Sequence, residues 1–206
     1  MNIRGLYLVT PEYTGEWILH ATEEALKSGI NVLQYRDKKS SFREKLRIGG
    51  RLRGMCSEYG IPFIVDDDPV LMDMLDADGI HIGKDDVPFE YIKSRFPGKI
   101  IGVSTYGSVE DAIKFQKLGT DYVAFGSFFS TQTKEDATMC NINILNNLDG
   151  ITIPVFVIGG INRNNVDMLL KYRISGIAVV SAIYYSRNIP DEVSFFSDKL
   201  REYRII

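Results

Sequence analysis

Short apolar runs alternate with amphipathic stretches from one end of this chain to the other, and that rhythm leaves few folds open. The runs fall at 5–9, 32–35, 63–65, 79–82, 100–103, 122–125, 155–158 and 176–180. Each is four or five residues long or slightly shorter and apolar almost throughout, which suits strands buried on both faces, as in parallel sheets. Between them, apolar residues recur at helical spacing. Phe42, Leu46, Leu52, Met55, Cys56 and Tyr59 form one such stripe, and Val109, Ala112, Ile113 and Leu118 another. Leu145 with Leu148, then Val166, Leu169 and Leu170, then Val193, Phe196 and Leu200 predict the later helices. Gly29, Gly60, Gly98 and Gly119 stand where helices should end and the chain turn into the next strand. Eight βα units in 206 residues leave roughly 26 residues for each, near the ~200-residue lower bound of a (β/α)8 barrel. An open doubly wound sheet is the structural competitor, but it has fewer strands and one dominant Gly-rich turn. Polar residues here follow nearly every strand. The sequence therefore reads as an α/β chain with short loops, one (β/α)8 TIM barrel over residues 1–206.

Composition narrows the function. With 24 Lys and Arg against 27 Asp and Glu, the balance is slightly acidic and the basic residues are scattered, so neither nucleic acid nor an anionic membrane is an expected partner. No apolar run approaches a membrane span, and the N-terminus opens into a strand with no charged-then-apolar leader. Cys56 and Cys140 are far apart, without metal-type spacing, which suits reduced thiols in a cytoplasmic protein, Cys56 as a core residue. Nothing in the sequence decides between a monomer and a homo-oligomer.

Function in such barrels sits on the loops at the C-terminal ends of the strands. After the sixth run, the loop from Gly126 to Lys134 carries Ser127, Ser130, Thr131 and Thr133 beside Lys134. A Ser/Thr-rich turn alone describes many surface loops. Here it is joined by Gly159-Gly160-Ile161 and Val180-Ser181-Ala182, each directly after an apolar run. Three such loops describe a site for phosphorylated small molecules, held in part on backbone N–H groups. After the second run comes Gln34-Tyr35-Arg36-Asp37-Lys38, where strand alternation puts Gln34, Arg36 and Lys38 on one side and Tyr35 and Asp37 on the other. One amide and two cations make a surface for a polyphosphate. Asp66-Asp67-Asp68 and Asp85-Asp86 follow the third and fourth runs. Neighbouring strands lie ~4.8 Å apart, so these carboxylates can converge on a cation, and magnesium commonly takes one or two carboxylates plus phosphate oxygens. Ser104 closes the fifth run, near both the acids and the sixth loop. Phe128 and Phe129 could wall a ring pocket or anchor their loop. His20 and His81 read as structural.

Together these segments resemble the thiamine-phosphate synthase (thiamine-phosphate pyrophosphorylase) family along nearly the whole chain. The markers are Leu6-Tyr7-Leu8-Val9-Thr10, Gln34 to Lys38, Ala77-Asp78-Gly79-Ile80-His81-Ile82-Gly83, Gly102-Val103-Ser104-Thr105, Thr131-Gln132-Thr133-Lys134, Ile158-Gly159-Gly160-Ile161 and Val179-Val180-Ser181-Ala182-Ile183, in the family's order. The resemblance implies a magnesium-dependent transferase. It would join a hydroxymethylpyrimidine diphosphate to a hydroxyethylthiazole phosphate, or its carboxylated form, releasing diphosphate. It gives Gln34, Arg36, Lys38, Ser104 and Lys134 to the pyrimidine diphosphate and Asp67 and Asp86 to magnesium. Thr131, Thr133, Gly160, Val180 and Ser181 go to the thiazole phosphate, and Tyr35, Asp37, Asp66 and Gln132 fall among the substrate-binding segments. Arg36, Lys38, Ser104 and Lys134 would be the catalytic groups.

The chain departs from the family in places. Asp66 stands where an asparagine is usual, Tyr106 where many relatives have histidine, Ser127 and Ser130 where prolines are frequent, and Lys84 where glutamine is common. The related thiazole tautomerase shares the barrel and uses a histidine at about the position of Tyr106, so its absence favours the synthase. A non-catalytic barrel that binds thiamine precursors and regulates a partner is the remaining alternative.

Overall fold

The structure is a computed structural model, and it describes residues 3–13, 15–83, 86–131 and 139–206. Eight parallel strands close into a barrel in sequence order: β1 (Gly5–Val9), β2 (Val32–Tyr35), β3 (Phe63–Asp66), β4 (Gly79–Gly83), β5 (Ile100–Ser104), β6 (Tyr122–Phe125), β7 (Val155–Ile158) and β8 (Gly176–Val179). The β1–β8 pairing, Gly5 on Gly176 through Leu8 on Val179, completes the circle. Helices α1 (Glu16–Lys27), α2 (Phe42–Tyr59), α3 (Pro69–Met74), α4 (Phe89–Arg95) and α5 (Val109–Leu118) follow the first five strands. After β7 and β8 come α6 (Asp167–Leu170), α7 (Ser181–Tyr184) and α8 (Ile189–Glu202). The eight expected strands are all present, with β3, β4 and β5 one residue longer than the apolar runs and β8 one shorter.

Helix ends follow local chemistry. Ser41, Asp68, Ser108 and Asn188 each accept backbone N–H bonds at the start of α2, α3, α5 and α8. Gly60 and Gly119 cap α2 and α5 in the left-handed conformation. The helix expected around Leu145 and Leu148 is instead a 3₁₀ segment, Ile142–Asn147. Its sequence, INILNN, is rich in asparagine, whose amides compete for nearby backbone groups; Asn141 accepts from the Asn143 N–H.

Alternation sorts the strand residues into two cores. Leu6, Leu8, Leu33, Phe63, Val65, Ile80, Val103, Phe125 and Val157 face outward into the layer between barrel and helices. Tyr7, Val9, Val32, Ile64, Tyr122, Ala124, Phe156 and Ala178 fill the barrel itself. At its centre the rings of Tyr7, Tyr122 and Phe156 pack mutually, with centroids 5.2, 5.6 and 5.9 Å apart. Gly102 makes room for this cluster, since a Cβ there would stand 2.0 Å from Tyr122 Cζ. Gly102→Ala is therefore expected to cost about 1–3 kcal/mol by overpacking, read as a lowered urea midpoint; an unchanged midpoint would contradict the packing.

The opposite, N-terminal end of the barrel is closed by a repeating device. Asn31, Asp78, Asp121 and Ser175, each at the start of an even-numbered strand, accept the backbone N–H of Leu6, Phe63, Ile101 and Val155 on the preceding odd-numbered strand, at 2.8, 2.8, 2.8 and 3.1 Å. These bonds satisfy strand-end amides and leave the chemistry to the other end.

Candidate active site

A cavity of about 430 Å3 opens at the C-terminal end of the barrel. Strand parity delivers Gln34, Asp66, His81 and Ser104 to it, and the loops beyond add Arg36, Lys38, Asp67, Asp86, Thr131, Gly160, Val180 and Ser181. Its floor is the ring cluster of Tyr7, Tyr122 and Phe156.

One side carries the charges. Arg36 is clamped by carboxylates, its Nη2 donating to Glu12 at 2.9 Å and its Nε lying 3.6 Å from Asp66. Its backbone N–H is also held, by the Thr10 hydroxyl at 2.7 Å. The third nitrogen, Nη1, is buried and has no hydrogen-bond partner among the described residues. Lys38 Nζ lies 3.1 Å from Asp66 and bonds Asp67 directly. Burial opposes its charge, yet the two carboxylates outweigh that and hold the ammonium above its ordinary range. Asp86 accepts from the Gly83 N–H at 2.8 Å. Burial, and then the charge of neighbouring Asp67, push its carboxyl above the usual range. Asp67 and Asp86 thus face each other as an acidic pair, with Lys38 bonded to Asp67 as the cation at hand.

The other side is backbone. Gly160 adopts φ +61°, and Asn162 and Asn165 donate to its carbonyl at 3.2 and 2.9 Å. The loop after β6 is sewn onto it, Phe128 and Phe129 N–H groups bonding the Ile158 and Gly159 carbonyls at 3.1 Å. The Ser127 hydroxyl is spent within that loop on the Phe129 carbonyl. Val180 and Ser181 arrive where β8 turns into α7, a place where first-turn N–H groups lack helical acceptors.

The floor is polar as well as aromatic. His81 Nδ1 lies 3.0 Å from the Tyr122 hydroxyl and its Nε2 2.8 Å from Ser104 Oγ. Burial lowers its pKa to about 4 from 6.5, so the ring is neutral at neutral pH. Because the folded-state value lies below the unfolded one, the unfolded chain binds the proton first as pH falls. The stability this neutral ring contributes is present above pH 6.5 and is lost toward pH 4, by about 3 kcal/mol. Urea unfolding at pH 7 and pH 4.5 should show a larger loss for the native sequence than for His81→Gln; equal losses would contradict this.

Among the residues singled out from sequence, Gln34, Arg36, Lys38, Asp66, Asp67, Asp86, Ser104, Thr131, Gly160, Val180 and Ser181 meet at the cavity. Tyr35 does not, being stacked on Phe63 in the outer core at 6.2 Å. Asp37 is turned into its own loop, where it accepts from the Lys39 and Ser40 N–H groups. Asp68 is consumed as the cap of α3. Phe128 and Phe129 pack into the outer core and anchor their loop. Lys84, Asp85, Gln132, Thr133 and Lys134 lie outside the described residues. Tyr7, Tyr122 and Glu12 escaped the sequence reading, as did the cavity position of His81. The inward parity that Tyr7 shares with Val9 was the available signal.

Comparison with known proteins agrees with this geometry. Residues 6–183 match the family model described as thiamine monophosphate synthase. The chain is 60% identical over 202 residues to a thiamine-phosphate synthase of Picrophilus torridus, covering 98% of this chain and 99% of that one. It is 46% identical over 184 residues to the corresponding protein of Thermoplasma acidophilum, covering 89% and 86%. Among solved structures it resembles a thiamine phosphate pyrophosphorylase from Pyrococcus furiosus, with TM-score 0.89, 35% identity and 98% of both chains covered. A geranylgeranylglyceryl phosphate synthase at 15% identity and TM-score 0.63 shares the fold alone. With a two-poled cavity at the barrel's C-terminal end and a match along most of its length, this chain belongs to the thiamine monophosphate synthase family.

Proposed function

We propose that the chain, as one catalytic domain, joins 4-amino-2-methyl-5-(diphosphomethyl)pyrimidine to hydroxyethylthiazole phosphate, giving thiamine phosphate and diphosphate with the help of magnesium. The observation that carries this reading is a single cavity with a cation-and-carboxylate pole on one side and a backbone-lined pole on the other. The pyrimidine diphosphate takes the first pole, the thiazole phosphate the second.

Asp67 and Asp86 fit a magnesium ion, because two facing carboxylates, one with a raised pKa, are relieved by a divalent cation. When bound there with the substrate, the ion would neutralise charge on the leaving diphosphate. The protein's own groups do the rest. As the bond between the ring methylene and the diphosphate oxygen breaks, negative charge grows on that oxygen. Arg36 and Lys38, which both line the cavity, meet it where it develops, as would Lys134. Walls of Ala124, Phe156, Ile158 and Ala178 keep water from the ring-stabilised cation. The thiazole nitrogen then forms the new bond from its place beside Gly160 and Ser181. No covalent enzyme intermediate is needed. The reaction is assigned to the cytoplasm, in keeping with two unpaired thiols, one buried in the core.

Incubation with both precursors, with magnesium and with chelator, tests the reading. Thiamine phosphate should form only when both precursors and magnesium are present. Isomerisation of a thiazole phosphate without joining would indicate a tautomerase instead.

A further inference from the structure

Six side chains from six strands form one hydrogen-bonded chain across the cavity floor. Asp66 on β3 accepts from the Gln34 amide on β2. The Gln34 Oε1 accepts from Tyr7 at 2.8 Å, and Tyr7 meets Tyr122 at 2.8 Å. Tyr122 meets His81 Nδ1 at 3.0 Å, and His81 Nε2 meets Ser104 Oγ at 2.8 Å.

The hydrogens in this chain have one consistent order. A carboxylate beside Lys38 and Arg36 only accepts, so Gln34 turns its NH2 toward Asp66 and its oxygen toward Tyr7. Tyr7 spends its one hydrogen on that oxygen, which leaves its own oxygen as an acceptor. Tyr122 must then donate to Tyr7, and its oxygen accepts from His81 Nδ1–H. Nε2 of the neutral ring is left bare and draws the hydrogen of Ser104. Any other arrangement leaves at least one of these close polar contacts with no hydrogen between its atoms, in a buried place where that is costly.

We propose that the Asp66 carboxylate, acting through Gln34, Tyr7, Tyr122 and His81 as positioning residues, fixes the hydrogen of Ser104 toward His81. Ser104 then offers only lone pairs to the cavity. Resting on the function proposed above, this assigns Ser104 to a donor on the substrate, the amino group of the pyrimidine, and not to a diphosphate oxygen. It also gives Asp66 a purpose. An asparagine can present either its oxygen or its NH2 to Gln34 and would leave the direction of the chain open.

The direction is read without substrate. His20 and His81 are the only histidines, and His20 is exposed, so nitrogen-15 NMR of the imidazoles distinguishes them. His81 should carry its proton on Nδ1. In Tyr122→Phe, which removes the acceptor for that proton, the population should move toward Nε2–H. Finding Nε2–H in the native sequence would overturn the proposal, even if the protein makes thiamine phosphate. The assignment of Ser104 is read by equilibrium binding of two probes, inorganic diphosphate with magnesium and the aminopyrimidine alcohol lacking phosphate. Ser104→Ala should weaken the alcohol by about tenfold, one hydrogen bond's worth, and leave diphosphate within about twofold. The reverse pattern would overturn it.

Discussion

Asp86→Asn and Asp67→Asn are each expected to slow thiamine phosphate formation by about 10²–10³-fold, the usual cost of losing one preorganised group that stabilises transition-state charge. Each substitution removes half of the acidic pair while keeping the side chain's size. Asp86 also keeps its bond from the Gly83 N–H, because an amide oxygen accepts as a carboxylate does. The fold should therefore survive, and loss of rate should be matched by loss of magnesium affinity measured in the presence of diphosphate. Magnesium binding itself should weaken as pH falls, since burial and Asp67 make Asp86 hold a proton more readily than an ordinary carboxylate. Full activity of both variants in chelator-treated buffer would remove these two residues from any metal site.

Gly160→Val is expected to abolish productive binding of the thiazole phosphate while sparing the other pole. The residue sits at φ +61°, where a β-branched side chain costs of order 1–3 kcal/mol. Its Cβ would also stand 2.4 Å from the Ser130 carbonyl oxygen, an atom of the backbone that cannot swing aside. The loops after β6 and β7 are sewn together at this point, so the strain falls on the thiazole-phosphate side. Apparent affinity for the thiazole phosphate should fall at least about tenfold, whereas equilibrium binding of diphosphate with magnesium should hold within about twofold. Equal weakening of both would show that the two poles are not separate.

Several features were already written in the order of residues. Eight short apolar runs separated by helical stripes demand strands buried on both faces, and closing them into a circle removes the edges that an open sheet would expose. Alternation after the second run groups Gln34, Arg36 and Lys38, and all three line the cavity, Gln34 by the parity of β2 and Arg36 and Lys38 from the loop just beyond its end. The helix at Leu145 was misjudged because two leucines supply a stripe, while the asparagines around them supply competing hydrogen bonds that a spacing argument does not weigh.

What the tertiary structure alone decided is which polar groups remain available. Asp66, Asp67 and Asp68 are equivalent in sequence, yet one locks onto Gln34 and Lys38, one faces Asp86 and one caps α3. Arg36 looks like any loop arginine until Glu12, 24 residues away in the chain, is seen to hold its Nη2 and Asp66 to lie beside its Nε. His81 read as structural in the sequence, and its neutral state comes from burial between groups on β5 and β6. Local spacing fixes period and parity, which a chain carries within a few residues. Desolvation and the pairing of charges depend on atoms that only closure of the barrel brings within 3 or 4 Å, and there the Coulomb and hydrogen-bond energies become large enough to choose among chemically identical side chains.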